Sequence, residues 1–214
     1  MLLLGIDIGT SFVKISVVKA DTAECIASVS YPDTERQILS SAPGIAEQSP
    51  EQWWEDTLTA ILLLHQLKLY NPKDIAAIGI SYQMHGLVMA DKEKNVLRNS
   101  IIWCDSRAVP IGEKAFNDLG NEKCLQHLLN SPGNFTASKL AWVKENEPHI
   151  FDKAANIMLP GDYIAMKLTG EVSTTITALS EGIFWDFKDQ TISTELLSYF
   201  GIEFSLIPTV KNVF

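Results

Sequence analysis

The sequence predicts an α/β domain with a mixed sheet, in which an antiparallel three-strand meander is joined by parallel strands and flanked by helices. Three observations carry that prediction. Residues 2–9, 12–19 and 25–31 form three short apolar stretches separated by tight turns. Ser49-Pro50-Glu51-Gln52 opens a helix, and the continuous apolar run Ile75-Ala76-Ala77-Ile78-Gly79-Ile80 follows it as a strand suited to cover on both faces.

In the first strand Leu2, Leu4, Ile6 and Ile8 point to one side, and Leu3, Gly5, Asp7 and Gly9 to the other. Asp7 stands where the pattern calls for an apolar residue, between two glycines that admit close approach to the backbone. The turn after it carries the hydroxyls of Thr10 and Ser11. Exposed N–H groups and hydroxyls in such a turn can hold phosphate oxygens, and the Asp7 carboxylate can hold the magnesium that accompanies ATP. The alternative is a tight hairpin that Asp7 merely caps.

Val13, Ile15 and Val17 line one side of the second strand, and Asp21-Thr22-Ala23 turns the chain into the third. Residues 33–48 have no clear period. Ser49 is placed as N-cap with Pro50 at the first helical position, and the helix carries Trp54, Leu58, Ile61, Leu62 and Leu69 at helical spacing before Pro72. The run at 75–80 ends in Ser81-Tyr82-Gln83-Met84-His85-Gly86, beyond the carboxyl end of a strand, where ligands of open α/β sheets sit. Residues 91–95 read as a solvated hairpin turn and residues 101–103 as a strand ending in Asp105 and Arg107. Helical patterns follow at 110–129, from an N-cap at Thr136, at 163–168 and at 193–199. A short strand is expected at 156–159 and an aromatic one at 182–187. No linker or repeat divides the chain.

Composition narrows the function. A net charge of −9 over 214 residues disfavours nucleic acid and anionic membrane as partners. The apolar run from Leu58 to Leu69 is interrupted by Thr59, His65, Gln66 and Lys68, so no segment is expected to span a membrane. The start lacks a basic leader, and Cys25, Cys104 and Cys124 have neither metal-ligand spacing nor the even count of a disulfide framework. A cytoplasmic protein is expected. No P-loop and no dinucleotide fingerprint occurs.

Two further clusters could bind a polyol. Gln83, Met84 and His85 offer an amide, a soft apolar surface and an imidazole, with Gly86 letting a ligand approach; a buried histidine bonded to a carbonyl is the alternative. Trp103, Asp105 and Arg107 combine a flat aromatic with two hydroxyl-binding groups, against the alternative of a surface ion pair. Lys139, Trp142 and residues 160–163 read as structural. His65, His127 and His149 read as surface or packing residues.

Seven segments, GIDIGTS (5–11), EQSPEQWW (47–54), GISYQMHG (79–86), IWCDSR (102–107), FTASKLAWV (135–143), LPGDY (159–163) and LTGE (168–171), resemble the FGGY carbohydrate kinases in collinear order. The QMHG segment is most like xylulose kinases. The resemblance implies an actin-like, ribonuclease-H-like fold and transfer of the γ-phosphoryl of Mg·ATP to the terminal hydroxyl of D-xylulose. It further implies that Asp7 assists magnesium and the phosphates, and that Gly9, Thr10 and Ser11 line the phosphate turn. Met84 and His85 would bind substrate with Gln83, and Trp103, Asp105 and Arg107 would line the sugar cleft.

The pattern departs from the family in one respect. The family's general base is an aspartate in a Gly-Gly-Gly-Asp-Asn-type segment, and none occurs here. The base is expected beyond Phe214, and residues 1–214 are expected to be the sugar-side N-terminal domain without the C-terminal ATPase-fold domain, inactive alone. Ribulose, fuculose, rhamnulose or gluconate as substrate, or a non-catalytic actin-like module, are the rival readings. A homodimer is left open.

Overall fold

The computed structural model describes residues 1–213, and Phe214 lies outside them. The described residues divide into two compact units: residues 1–38 with 49–83, and residues 39–48 with 84 onward.

The first unit begins with β1 (Leu2–Ile8), β2 (Val13–Lys19) and β3 (Cys25–Tyr31). The chain then leaves it, supplying β4 (Glu47–Gln48) to the second unit, and returns as α1 (Pro50–Gln66) and β5 (Ile75–Tyr82). The sheet order is β3-β2-β1-β5, antiparallel through the meander and parallel between β1 and β5. This is the mixed sheet the patterning predicts. Leu4, Ile6, Ile8, Val13, Ile15 and Val17 are buried on one face, against which α1 packs through Trp53, Ala60 and Leu64. The Ser49 side chain accepts from the Gln52 amide at 3.2 Å, so the cap forms as its residue types dictate.

Two expectations fail here. The stripe of α1 containing Leu58 and Leu62 faces outward, Leu62 being 61% exposed. The buried face instead uses Trp53, Thr57, Ala60 and Leu64, with Asp56 neutralised by the Arg36 guanidinium through Nε at 2.8 Å. Second, β5 is not covered on both faces. It is an edge strand, most of its residues are exposed, and Ile78 is 46% exposed. A continuous apolar run reports burial only where other elements pack on both of its faces, and the described residues do not cover this one.

The second unit holds β4, β6 (Val88–Ala90), β7 (Ser100–Ile101), α2 (Val109–Leu119), α3 (Asn121–His127), α4 (Thr136–Asn146), α5 (Pro148–Phe151) and β8 (Asn156–Met158). After these come α6 (Pro160–Thr169), β9 (Ser173–Thr174), α7 (Ile176–Glu181), β10 (Trp185–Asp186), β11 (Thr191–Ile192), α8 (Thr194–Phe200) and β12 (Thr209–Val210). Its strands pair in twos: β4 with β7, β6 with β8, β9 with β12 and β10 with β11. One core unites Leu87, Met89, Ile101, Leu140, Val143, Phe184, Trp185 and Leu196. The helix expected at 110–129 is broken by Gly120 at φ 95°, a conformation glycine adopts without strain. The N-cap of α4 is Phe135, one residue before the expected Thr136. The strand expected at 182–187 shortens to Trp185 and Asp186, and α6 ends at Gly170 with φ 76°, as its sequence predicts. No helix among the described residues is long and apolar enough to cross a membrane.

Candidate functional site

In the first unit the turn between β1 and β2 is closed by the Gly9 amide donating to the Phe12 carbonyl at 3.0 Å. A Cβ on Gly9 would lie 2.8 Å from that same oxygen, so the turn requires glycine. Ser11 is held from behind, since its carbonyl accepts the Arg36 amide at 3.1 Å while the Arg36 side chain grips Asp56. Thr10 donates its hydroxyl to Gln83 Oε1 at 3.1 Å, and the Gln83 amide donates to the Ile8 carbonyl at 2.8 Å. Gln83 therefore belongs with the glycine-hydroxyl turn. The sequence grouped it with Met84 and His85.

Asp7 lies on the uncovered face of the sheet. Its Oδ1 accepts the Ser81 hydroxyl at 2.7 Å, and among the described residues Oδ2 takes no further hydrogen bond. Around it is an open depression of about 550 Å³ lined by Gly5, Asp7, Lys14, Ser16, Gly79 and Ser81. Gly5 and Gly79 are paired in register, and added Cβ atoms there would meet almost nothing, so the floor is bare backbone. Lys14 pairs with Asp7 across β1 and β2 and brings a cation to the same depression. Sequence reasoning missed Lys14; its place two residues past Phe12, on the exposed side of an alternating strand, was the available signal.

In the second unit Met84 and His85 follow directly after the strand. Met84 is 54% exposed, and His85 sits at φ 59° with its ring packed 4.3 Å from the Phe135 ring. Gly86 serves packing and not ligand approach, because a Cβ there would come within 2.6 Å of the Pro160 ring. Trp103 is 47% exposed, and its carbonyl accepts from the Asn134 side-chain amide at 3.1 Å. Asn134 and Phe135 thus place the Trp103 loop and His85 against neighbouring residues of one segment.

Asp105 and Arg107 are placed differently from the sequence expectation. Asp105 is fully buried; its Oδ2 accepts the Ala46 amide at 2.6 Å and Arg107 Nη2 at 2.7 Å, and its Oδ1 accepts the Arg107 amide at 2.9 Å. Arg107 also reaches Glu47 at 2.8 Å and lies over the Trp142 ring, while Arg98 pairs with Glu47 and Glu147. Both Asp105 oxygens and Arg107 Nε and Nη2 are thus engaged by other groups of the protein. They form an internal ion-pair network, not a surface pair.

Lys139 is fully buried and donates to the His85 carbonyl at 2.7 Å. Burial lowers its pKa to about 8, opposed by the Asp105 carboxylate. His127, expected to lack a suitable partner, bonds Asp186 at 2.8 Å. Asp189 completes a group of three possible metal ligands there, but Asp186 Oδ1 is already committed to the amides of Lys188 and Asp189 at 2.9 Å each, as in an ordinary turn.

The sequence profile of the FGGY family of carbohydrate kinases, N-terminal domain, matches residues 2–213. The chain belongs to the FGGY family. Among curated relatives, xylulose kinases of Staphylococcus xylosus and Bacillus subtilis are 38% and 34% identical over 210 and 211 residues, covering 97% and 96% of the chain. A solved xylulose kinase from Brucella ovis superposes with a TM-score of 0.89 at 31% identity over 99% of the chain and 43% of its own. The FGGY chain spans about 40% of the length of the curated relatives it matches, 42% and 40% in these two. The mixed sheet with its helices is accordingly the actin-like arrangement of FGGY sugar kinases.

Proposed function

We propose that this FGGY chain supplies the sugar-binding and phosphate-facing residues of an ATP-dependent xylulose kinase, forming D-xylulose 5-phosphate. The observation that carries this is the placement of Met84 and His85 just past a strand end, one exposed and soft, the other locked in a left-handed backbone. A thioether and an oriented imidazole suit the carbon face and hydroxyls of a ketose. Trp103 adds a flat exposed surface of the kind that packs on sugar rings.

On the other unit, Asp7, Gly9, Thr10, Ser11 and Lys14 are proposed to face the ATP phosphates. An open carboxylate oxygen on Asp7 fits Mg²⁺, which favours hard oxygen ligands and binds through one or two carboxylates plus phosphates. When bound, that ion would neutralise charge on the phosphoryl oxygens. Asp105 and Arg107 shape the sugar-side loops from within. No residue of this chain is proposed as the base that takes the hydroxyl proton. The three unpaired thiols support a reducing, cytoplasmic setting.

The test is a titration of the methionine-methyl-labelled chain with D-xylulose, ribulose, fuculose, rhamnulose and gluconate. D-xylulose is expected to shift the Met84 methyl most, and a stronger response to another sugar would reassign the substrate. ATP- and xylulose-dependent turnover by the 214-residue chain itself would overturn the assignment of the base elsewhere.

A further inference from the structure

His85 is the most constrained candidate in the second unit, and nothing in its neighbouring sequence accounts for the constraint. A left-handed backbone at a non-glycine residue costs about 1–3 kcal/mol and persists only when its surroundings enforce it. Two residues distant in sequence do so. The Glu181 carboxylate, at the end of α7, accepts the His85 amide. Lys139, on α4, donates to the His85 carbonyl at 2.7 Å. Both main-chain polar groups of the strained residue are thus held.

Glu181 also addresses the ring. His85 Nδ1 lies 3.1 Å from the Glu181 main-chain oxygen and 3.3 Å from its carboxylate oxygen. Both atoms can only accept, so the proton belongs on Nδ1. Phe135 packs against the ring at 4.3 Å and limits its rotation. Among the described residues Nε2 has no partner.

We propose that Glu181 and Lys139 are positioning residues that fix His85 as the Nδ1–H tautomer, so that Nε2 stands as a bare acceptor for a sugar hydroxyl. The inference rests on the assignment of His85 to the sugar site but adds a direction to the contact: the ring accepts and the substrate donates. A hydroxyl ligand meets that requirement, whereas a carbonyl or phosphate oxygen does not. Lys139 is fully buried and holds a main-chain oxygen, so it acts on the ligand only through His85.

The test reads the imidazole nitrogens of the ¹⁵N-labelled chain by two-bond proton–nitrogen correlation, with His85→Gln identifying the signal among four histidines. His85 is expected to show a protonated Nδ1 and an unprotonated Nε2 near neutral pH. Glu181→Ala removes the carboxylate and keeps the main-chain acceptor, so it should shift the tautomer ratio toward Nε2–H by up to about fivefold, the change expected from one hydrogen bond, with Glu181→Gln restoring most of it. Lys139→Met should broaden or move the His85 signals, and Lys139→Arg should restore them. A wild-type Nε2–H or doubly protonated ring, or nitrogen shifts untouched by Glu181→Ala and Lys139→Met in folded variants, would overturn the proposal. A fixed Nδ1–H tautomer whose Nε2 ignores added D-xylulose would overturn the sugar assignment alone.

Discussion

The guanidinium of Arg107 lies 4.7 Å above the Trp142 ring while its Nη2 holds Asp105 at 2.7 Å. A guanidinium the sequence offers to a ligand is here held between an aromatic face and a buried carboxylate. Breaking a buried pair leaves one charge without compensation, which costs about 3–5 kcal/mol. Arg107→Met and Asp105→Ala should therefore each lower unfolding free energy by that order in urea titrations. Unchanged stability with lost sugar binding would instead return both residues to the ligand site.

A second prediction concerns Asp162, buried beneath β9. Desolvation raises its pKa from 3.8 to about 7, although the Leu159 amide at 3.2 Å and the Thr174 hydroxyl at 3.0 Å favour the charged form. The folded state thus holds a proton that the unfolded state has released between those two values. Stability from this group is full below about pH 4 and is lost as pH rises towards 7, by up to about 1.4 kcal/mol per pH unit. Asp162→Asn keeps an acceptor oxygen and cannot ionise, so its stability relative to wild type should climb across that window and level off above it. A difference independent of pH would contradict the assignment.

The third prediction separates the two faces of α1. Leu64 is fully buried against the sheet, so Leu64→Ala should cost about 2–5 kcal/mol. Leu62→Lys, on the exposed face, should cost less than about 0.5 kcal/mol and reduce binding of a hydrophobic dye to the isolated chain. Differential scanning of both variants checks the pair, and a large loss with Leu62→Lys would mean that this face is covered.

How much of this was legible in the sequence follows from the range of each interaction. The bounds of β3 and the cap at Ser49 depend on neighbouring residues and could be read directly. The buried face of α1 could not, because Trp53, Trp54, Leu58, Ile61, Leu62, Leu63 and Leu64 place apolar groups on nearly every side. What selects the face is close packing of Thr57 and Ala60 on the meander and the Arg36–Asp56 pair. In the candidate site, Asp7 and Met84-His85 were visible as motifs. The hold of Glu181 and Lys139 on His85 spans separations of 96 and 54 residues, and no local pattern announces it.

The excursion of residues 39–48 has a consequence for the order in which the chain acquires structure. Every strand of the first unit has left the ribosome once Gln83 has emerged, so that unit can close on itself during synthesis. β4 has been waiting since Gln48, and its partner β7 begins only at Ser100. Translation thus delivers a finished piece first and leaves behind it a short strand held only by the upstream Leu39–Glu47 bridge, whose side toward β7 stays hydrated until the later half arrives.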